Sequence, residues 1–331
     1  MSNVVNTNPI VSIVMPCYNA SRFIREAIDS VRSQSYQNWE LLIVDDGSTD
    51  SSCKIAQEYV ELDSRIYLIE QPNSGACSAR NNGIKHARGE YVKFLDADDI
   101  LCPDCLEEQV RQISTLKPNQ IPFGNYGHID ANGDVISTYC YSKDHLTALK
   151  GDQIYAMFCY WQILISAPLH RRELLTEVGG FDVDLPRHQE TFFHFCLALA
   201  DVQFVYYQTF TFYYREYTST YRITSNYRSG KIKEDVLRRE IYIPKQEALL
   251  LNKYRVMPSI YRPFFTQAYF DRARYYFAHK QPDEGQKCFN KVVEYGALST
   301  FMRFYMSVGK IFGYVNIESV FQMRLKILGK L

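Results

Sequence analysis

Two aspartates separated by one residue, Asp96 and Asp98, are the side chains in this sequence best suited to chemistry. A short apolar run, 91–95, comes directly before them, and Asp99 follows. Carboxylate oxygens are ligands that suit Mg²⁺ or Mn²⁺, and these ions commonly keep positions for water and phosphate oxygens. Such an ion would neutralise charge on a leaving diphosphate. Aspartate is also common in turns and helix caps, so the pair alone leaves a structural role open.

The elements that must position this pair follow an alternating pattern through the first hundred residues. The apolar runs 11–15, 41–44, 66–69 and 91–95 predict strands, and apolar residues recur at helical spacing between them. Near-continuous apolar strands separated by amphipathic helices predict a parallel sheet that is covered on both faces. We therefore expect an α/β fold of the doubly wound type with a mostly parallel sheet.

Polar clusters follow three of these predicted strands. They lie at 17–19, 45–48 and 96–98, each directly after an apolar run. Ligands of open α/β sheets bind outside the carboxyl ends of the strands. We therefore expect the three clusters to meet at one edge of the sheet and to form a single site there.

Composition limits the classes of protein that this chain can belong to. Its 331 residues are 46% hydrophobic and 22% charged, enough for about two globular units. Lys+Arg 37 equals Asp+Glu 37, so no net charge attracts nucleic acid. No uncharged apolar run reaches the length of about 18 residues that a membrane span needs, and the polar start 1–9 lacks the core of an export signal. We expect a cytoplasmic protein with no nucleic-acid partner.

The sequence divides into two predicted parts, a catalytic domain over 1–229 and a helical region over 230–331. Within the second, 268–297 resembles one tetratricopeptide-like hairpin. The last stretch, 301–331, carries five basic residues and one acidic residue, with apolar residues at helical spacing. Such a segment could lie on an anionic membrane surface, at the inner face of the membrane. Packing against the first domain or a second subunit is the alternative, so homo-oligomerisation stays open.

Several ordered motifs together resemble the family 2 glycosyltransferases. They are, in chain order, residues 11–19, 44–50, 75–83 and 89–99. The resemblance is strong over about the first 100 residues and continues weakly through 179–182 and through the Tyr214-Arg215 pair. The region beyond about residue 230 lies outside the common pattern. The resemblance implies a GT-A fold, a nucleotide-sugar donor, an inverting reaction and a divalent metal, Mn²⁺ or Mg²⁺.

The resemblance also implies roles for the residues that match the family's donor motifs. Pro16, Tyr18 and Asn19 match the first nucleotide-contacting loop. Asp46 matches the position that hydrogen-bonds the base, usually uracil. Arg80 matches a position near the base and the diphosphate, although a structural ion pair is the alternative for this side chain.

The family's metal positions fall on the aspartate pair. Asp98 matches the metal ligand itself, and Asp96 matches the position that contacts the ribose or the metal. Asp45 is expected to serve as a turn or cap residue. The sequence has no phosphate-binding glycine loop of the P-loop or dinucleotide type, so metal and basic side chains would have to handle the diphosphate.

The catalytic base is the position at which this sequence departs from the family pattern. An inverting transfer needs one carboxylate to take the proton of the acceptor hydroxyl. The family has an acidic pair before a helix, whereas Gln189 and Glu190 stand here, so Glu190 is the predicted base. Asp182 and Asp184 are the alternatives, and His188 could contact phosphate or lie on the surface.

These inferences predict transfer of a single sugar, most simply from a UDP-sugar, to a hydroxyl of a glycan or lipid-linked glycan. The resemblance implies an acceptor in a bacterial-type surface polysaccharide. The Gln-x-x-Arg-Trp motif of processive members is absent. The aromatic stretch 204–217 and Trp161 could contact acceptor sugars or pack in the core. Two other functions stay open: a noncatalytic sugar-nucleotide-binding subunit, which the altered Gln189-Glu190 pair suggests, and a nucleotidyltransferase.

Overall fold

The computed structural model describes residues 10–159, 163–185, 189–217 and 232–318. The chain separates into two compact units, residues 1–229 and residues 230–331. Within the described residues, no helix is both long enough and apolar enough to cross a membrane.

The first unit contains two sheets with helices between their strands. Its strands are β1 (Val11–Cys17), β2 (Trp39–Asp45), β3 (Ile66–Glu70), β4 (Tyr91–Phe94), β5 (Ile100–Leu101), β6 (Gln120–Ile129), β7 (Val135–Tyr139), β8 (Leu169–Arg171) and β9 (Gln203–Arg215). Its helices are α1 (Ile24–Arg32), α2 (Ser52–Leu62), α3 (Ala76–His86), α4 (Cys105–Ile113), α5 (Lys143–Lys150), α6 (Gln153–Cys159), α7 (Arg172–Glu177) and α8 (Gln189–Leu199).

The larger sheet has the strand order β3-β2-β1-β4-β8. The first three pairs are parallel, and β8 runs antiparallel to β4. Every residue of β2 is buried, so both faces of the sheet are covered there, because successive side chains point to opposite faces. The prediction of a mostly parallel, doubly covered α/β sheet is confirmed.

The first strand continues beyond the point at which the sequence pattern predicted its end. The predicted strand covers 11–15 and ends before Pro16, but β1 runs through Pro16 to Cys17. Pro16 pairs with Val44 of β2, whereas the pairing with β4 already ends at Val14 opposite Phe94. A proline lacks only the amide donor, so it fits where a strand has a partner on one side.

The second sheet, ordered β5-β9-β6-β7, organises the part of the chain whose sequence pattern was least regular. The aromatic stretch 204–217 provides most of β9, which pairs with β6 in parallel and with interruptions of register. A Cβ at Gly127 of β6 would lie 2.5 Å from the Tyr213 ring of β9. This approach requires glycine, and it depends on a pairing between segments far apart in the sequence.

The core of the first unit encloses basic groups among aromatic rings. His170 and His194 are buried, with ring centroids 6.1 Å apart, and both pack near Phe193. Lys93 is also fully buried, and its Nζ donates to Gln109 at 2.7 Å. Burial lowers the pKa of Lys93, lowers that of His170 well below its ordinary value and lowers that of His194 to about 3.

The second unit is helical. Its helices are α9 (Ile232–Tyr254), α10 (Arg262–Ala278), α11 (Pro282–Tyr295) and α12 (Thr300–Phe312). The buried carboxylate of Glu247 on α9 accepts the hydroxyls of Tyr269 on α10 and Tyr295 on α11. These bonds tie three helices together at one buried charge.

The predicted features of the second unit fall on these helices. Helices α10 and α11 pack together, and both lie largely within the hairpin predicted over 268–297. On α12 the Tyr305 side chain is fully buried, whereas Phe304 and Ile311 are 58% and 74% exposed. The remainder of the basic segment, 319–331, lies outside the described residues, so contact with a membrane stays a prediction.

The buried histidines predict a loss of stability in acid. An unfolded histidine takes up a proton below about pH 6.5, whereas folded His194 stays neutral down to about pH 3. The free energy of unfolding should therefore fall by about 2 kcal/mol from this residue between about pH 7.5 and pH 5. Urea unfolding at the two pH values should show that His194→Leu loses about 2 kcal/mol less than the wild type.

His86 provides the matched control, because it is exposed on α3. His86→Leu should retain the full loss in acid. An equal loss in His194→Leu and wild type would contradict the assignment of this linkage to His194.

Candidate active site

The carboxyl ends of β1 and β2 are joined by hydrogen bonds that centre on Asn19. Its backbone adopts a positive φ of 50°, a conformation that asparagine tolerates better than most residues. Its side-chain Oδ1 accepts from the backbone N–H of Thr49 at 2.8 Å, and its backbone N–H donates to Ser48 Oγ at 3.0 Å. The predicted loop residues Pro16 and Tyr18 lie at the same edge, and the Tyr18 ring is 40% exposed.

Asp46 and Asp45 at the end of β2 organise the neighbouring backbone. The Asp46 carboxylate is buried and accepts from the amides of Ser74 and Gly75, both at 2.8 Å, and from Gln71 Nε2. It therefore holds the loop that leads into α3, a structural role that the motif did not reveal. Asp45 Oδ2 accepts from the Ser48 amide at 3.0 Å, as expected of a turn residue.

Arg80 of α3 brings the middle of the site together. Its guanidinium is buried, and Nη2 donates to Asp96 Oδ1 at 2.7 Å. The guanidinium carbon lies 5.4 Å from the centroid of the Phe181 ring. Arg80 Nε is buried and donates to no group in the described part of the chain. Arg80 thus places a positive charge beside Asp96, and its Nε–H has no acceptor among the described residues.

Glu190 lies in the first turn of α8 and shares this electrostatic environment. Its carboxylate accepts from the Ile165 amide at 3.0 Å. Burial, together with the nearby charge of Asp96, raises the pKa of Glu190 to about 7, while Arg80 and the Ile165 amide oppose the shift. A carboxyl with this pKa can take up and release a proton near neutral pH.

The acidic neighbour that the family pattern would place before Glu190 is replaced by a residue with a local structural role. Gln189 Nε2 donates to the Leu185 carbonyl at 2.9 Å. Of the alternative bases, Asp182 accepts from the Asp184 amide at 3.0 Å, as a turn residue does. His188 and Trp161 lie outside the described residues.

Asp96 and Asp98 present the oxygens that a divalent cation would need. The Asp96 side chain is 33% exposed, and Asp98 Oδ2 accepts from the Tyr217 hydroxyl at 3.0 Å. No group of three or more His, Cys, Asp or Glu side chains among the described residues could enclose a metal ion. Two carboxylates with open coordination positions suit an ion that is shared with phosphate oxygens, so these residues fit Mn²⁺ or Mg²⁺.

One positioning residue of this site escaped the sequence analysis. Asn81 uses its side chain to accept from the Phe181 amide at 2.7 Å and to donate to the Phe181 carbonyl at 2.8 Å. A Cβ at Gly180 would lie 2.4 Å from Asn81 Oδ1, and Gly180 has a φ of 75°. The two adjacent glycines 179–180 were the available signal, but nothing local identified Asn81 as their partner.

Comparison with solved structures identifies the class of the fold. S. aureus TarS 1–349, determined with UDP-GlcNAc, matches with a TM-score of 0.63 at 17% identity, over 95% of this chain and 91% of that chain. The mannosyltransferase PcManGT from Pyrobaculum calidifontis, determined with GDP-Man and Mn²⁺, matches with a TM-score of 0.54 at 17% identity, over 96% and 84%. The fold is that of the GT-A glycosyltransferases.

Sequence comparison relates part of the chain to one family. Residues 12–163 match the model of glycosyl transferase family 2. An uncharacterized glycosyltransferase of Haemophilus influenzae is 41% identical over 154 residues, 45% of this chain and 60% of that protein. Bacillus subtilis TuaG, whose name links it to teichuronic acid biosynthesis, is 37% identical over 143 residues, 43% of this chain and 56% of that protein.

The chain thus contains a segment, residues 12–163, that matches glycosyltransferase family 2, and this match confirms the resemblance of the motifs. It spans less than two thirds of the length of either of these two relatives.

The Asn81 contacts predict a specific loss of stability. Asn81→Ala removes the partners of the Phe181 amide and carbonyl, and each lost bond should cost about 1 kcal/mol of the free energy of unfolding. Urea unfolding should therefore show a loss of about 2 kcal/mol. Lys85→Ala, at an exposed position of the same helix, is the control. A loss no larger than that of the control would contradict the role given to Asn81.

Proposed function

We propose that this protein is an inverting, metal-dependent glycosyltransferase that transfers one sugar from a nucleotide diphosphate sugar to a hydroxyl of a glycan acceptor. The family 2 domain and the GT-A fold support the reaction class. TuaG, a relative named for teichuronic acid biosynthesis, supports an acceptor in a cell-surface polysaccharide. UDP is the proposed nucleotide, on the basis of the motif resemblance.

The observation that carries the proposal is the location of Glu190 beside the Arg80–Asp96 ion pair, with a pKa of about 7. In the proposed reaction, the acceptor oxygen attacks the anomeric carbon while Glu190 takes the hydroxyl proton. A new carbon–oxygen bond forms to the acceptor. The bond between the anomeric carbon and the diphosphate oxygen breaks, and the nucleoside diphosphate leaves with the bonding electrons.

The donor side of the site is assigned from the same edge of the sheet. Asp98 and Asp96 would hold the divalent cation, which when bound supplies positive charge to the leaving diphosphate. Arg80 would donate to the diphosphate through its remaining N–H groups, because its Nε has no acceptor among the described residues. Charge-assisted bonds of this kind suit phosphate oxygens.

The nucleoside would lie along the loop after β1. We assign Pro16, Tyr18 and Asn19 to its contacts, and the exposed Tyr18 ring offers a surface on which a flat base can stack. Asp46 would accept a hydrogen bond from the base. Its carboxylate already accepts three bonds, and a carboxylate has about four acceptor sites, so one further donor can be accommodated.

The proposal includes the place of the reaction. We propose that the protein acts on the cytoplasmic side of the membrane, on a glycan or lipid-linked glycan. The exposed Phe304 and Ile311 of α12, with the basic residues Arg303 and Lys310 on the same helix, support contact with an anionic membrane surface.

Removing the proposed base should abolish turnover and spare donor binding. Glu190→Gln keeps the shape of the side chain but cannot accept a proton, so kcat should fall by about 10²- to 10⁴-fold. Calorimetry with UDP and Mn²⁺ should give an unchanged Kd, and release of UDP from a panel of UDP-sugars should report turnover.

Glu177→Gln, at an exposed position on α7, should behave as the wild type in both measurements. Full turnover by Glu190→Gln would reject Glu190 as the base. A wild type that binds UDP but transfers no sugar from any donor would favour the noncatalytic binding subunit. Pyrophosphate release from a nucleoside triphosphate would identify a nucleotidyltransferase instead.

The rate should depend on the ionisation of Glu190. The base must be deprotonated, and burial raises the pKa of Glu190 above its ordinary value, so kcat/KM should rise with pH through a midpoint above that of an ordinary glutamate and then level off. An aspartate or glutamate with an ordinary pKa would give a flat profile above about pH 6. Initial rates between about pH 5.5 and pH 8.5 with saturating Mn²⁺ separate the two cases.

A further inference from the structure

We propose that Arg215 and Tyr217 are positioning residues for Asp98, the proposed metal ligand. Arg215 would fix the backbone at Asp98, and the Tyr217 hydroxyl would orient its carboxylate. The inference rests on the metal-dependent part of the proposed function. It assigns a role to two residues at the end of β9 that follow Asp98 by more than a hundred positions in the sequence.

Arg215 holds the backbone on which Asp98 stands. Its guanidinium is fully buried, and Nε donates to the Asp98 carbonyl at 2.9 Å. The amide of Arg215 donates to Asp99 Oδ1 at 3.0 Å. The Asp98 carbonyl and the Asp99 side chain are therefore both tied to one residue of β9. This leaves the aspartate loop little freedom to shift along the sheet edge.

The other guanidinium nitrogens connect Arg215 to two more elements. Nη2 donates to Glu26 Oε2 of α1 at 2.6 Å, and Nη1 donates to the Asp130 carbonyl after β6 at 3.2 Å. A guanidinium is a planar fork with donors in fixed directions, so three acceptors around it define its position closely. A lysine has one charged atom and could not reach all of them.

The Phe23 ring contacts both the Arg215 guanidinium and the Tyr217 ring. The Arg215 guanidinium lies 4.6 Å from the centroid of the Phe23 ring, and the Tyr217 ring centroid lies 4.5 Å from that of Phe23, with 58° between the two ring planes. With its ring held in this way, Tyr217 directs its hydroxyl to Asp98 Oδ2 at 3.0 Å. The hydroxyl thereby restricts the rotation of the carboxylate.

The affinity for a cation that is held by few side chains depends strongly on the orientation of each ligating carboxylate. A hydrogen bond that fixes this orientation therefore affects the affinity. Outer groups orient the ligands of a metal, and their removal commonly weakens metal affinity by about 10- to 100-fold. Asp96 and Asp98 are the proposed ligands at this edge, and Asp96 already forms an ion pair with Arg80. The orientation of Asp98 should therefore have a large effect on affinity.

Tyr217→Phe tests the proposal with little change in packing. It keeps the ring against Phe23 and removes only the hydroxyl, which donates a hydrogen bond to Asp98. Tyr206→Phe is the matched control, because its hydroxyl also donates to a side-chain oxygen, that of Asn125 at 2.9 Å, away from Asp98. Mn²⁺ titrations of the full chain with UDP present, followed by electron paramagnetic resonance, should give the Kd for Mn²⁺.

We expect Tyr217→Phe to raise the Kd for Mn²⁺ about tenfold and Tyr206→Phe to leave it unchanged. The Kd for UDP in EDTA should be the same in all three proteins. Arg215→Lys should weaken Mn²⁺ binding as well, since it keeps the charge and loses the fork.

The outcomes separate this proposal from the one on which it rests. Wild type that binds UDP but no Mn²⁺ would overturn the metal-dependent part of the proposed function and the positioning role with it. Wild type that binds Mn²⁺ with an affinity that Tyr217→Phe leaves unchanged would overturn the positioning role alone. Equal weakening in Tyr206→Phe would also overturn it, because the effect would then be general.

Discussion

A guanidinium that is fully removed from water must be surrounded by acceptors, and this constraint organises the first unit around Arg215. A buried charge without partners costs several kcal/mol, so the elements that supply acceptors must meet at one point. Here α1 supplies the Glu26 carboxylate, the turn after β4 supplies the Asp98 carbonyl, and the turn after β6 supplies the Asp130 carbonyl. The two sheets are thus joined beside the proposed metal ligand.

Other buried charged groups of the site also have hydrogen-bonding or ion-pair partners. They hold the neighbouring backbone or balance another charge of the site. Asp46 binds the loop before α3, and Arg80 balances Asp96 near Glu190. Because Arg80 and Asp96 act on the pKa of Glu190 in opposite directions, its protonation depends on the charge state of the donor side. In the proposed reaction, the donor and acceptor sides are therefore linked electrostatically.

Local patterns predicted the strands of the larger sheet, the convergence of three polar clusters and the family, because apolar periodicity and motif order are properties of short segments. They failed where a residue's role depends on a distant partner. The predicted first strand ended before Pro16, but a proline is tolerated there because β1 has a partner strand on only one side at this position. The second sheet was not predicted, because β6 and β9 pair across about 80 residues with interrupted register.

The sequence by itself determined the α/β class, the family 2 motifs and the residue types available for catalysis, since each is encoded within a few consecutive positions. The tertiary structure alone decided that Arg80 faces Asp96, that Asn81 holds Phe181 and that Tyr217 reaches Asp98. These contacts join segments that are distant along the chain. Their energies depend on burial and direction, which packing sets and composition does not.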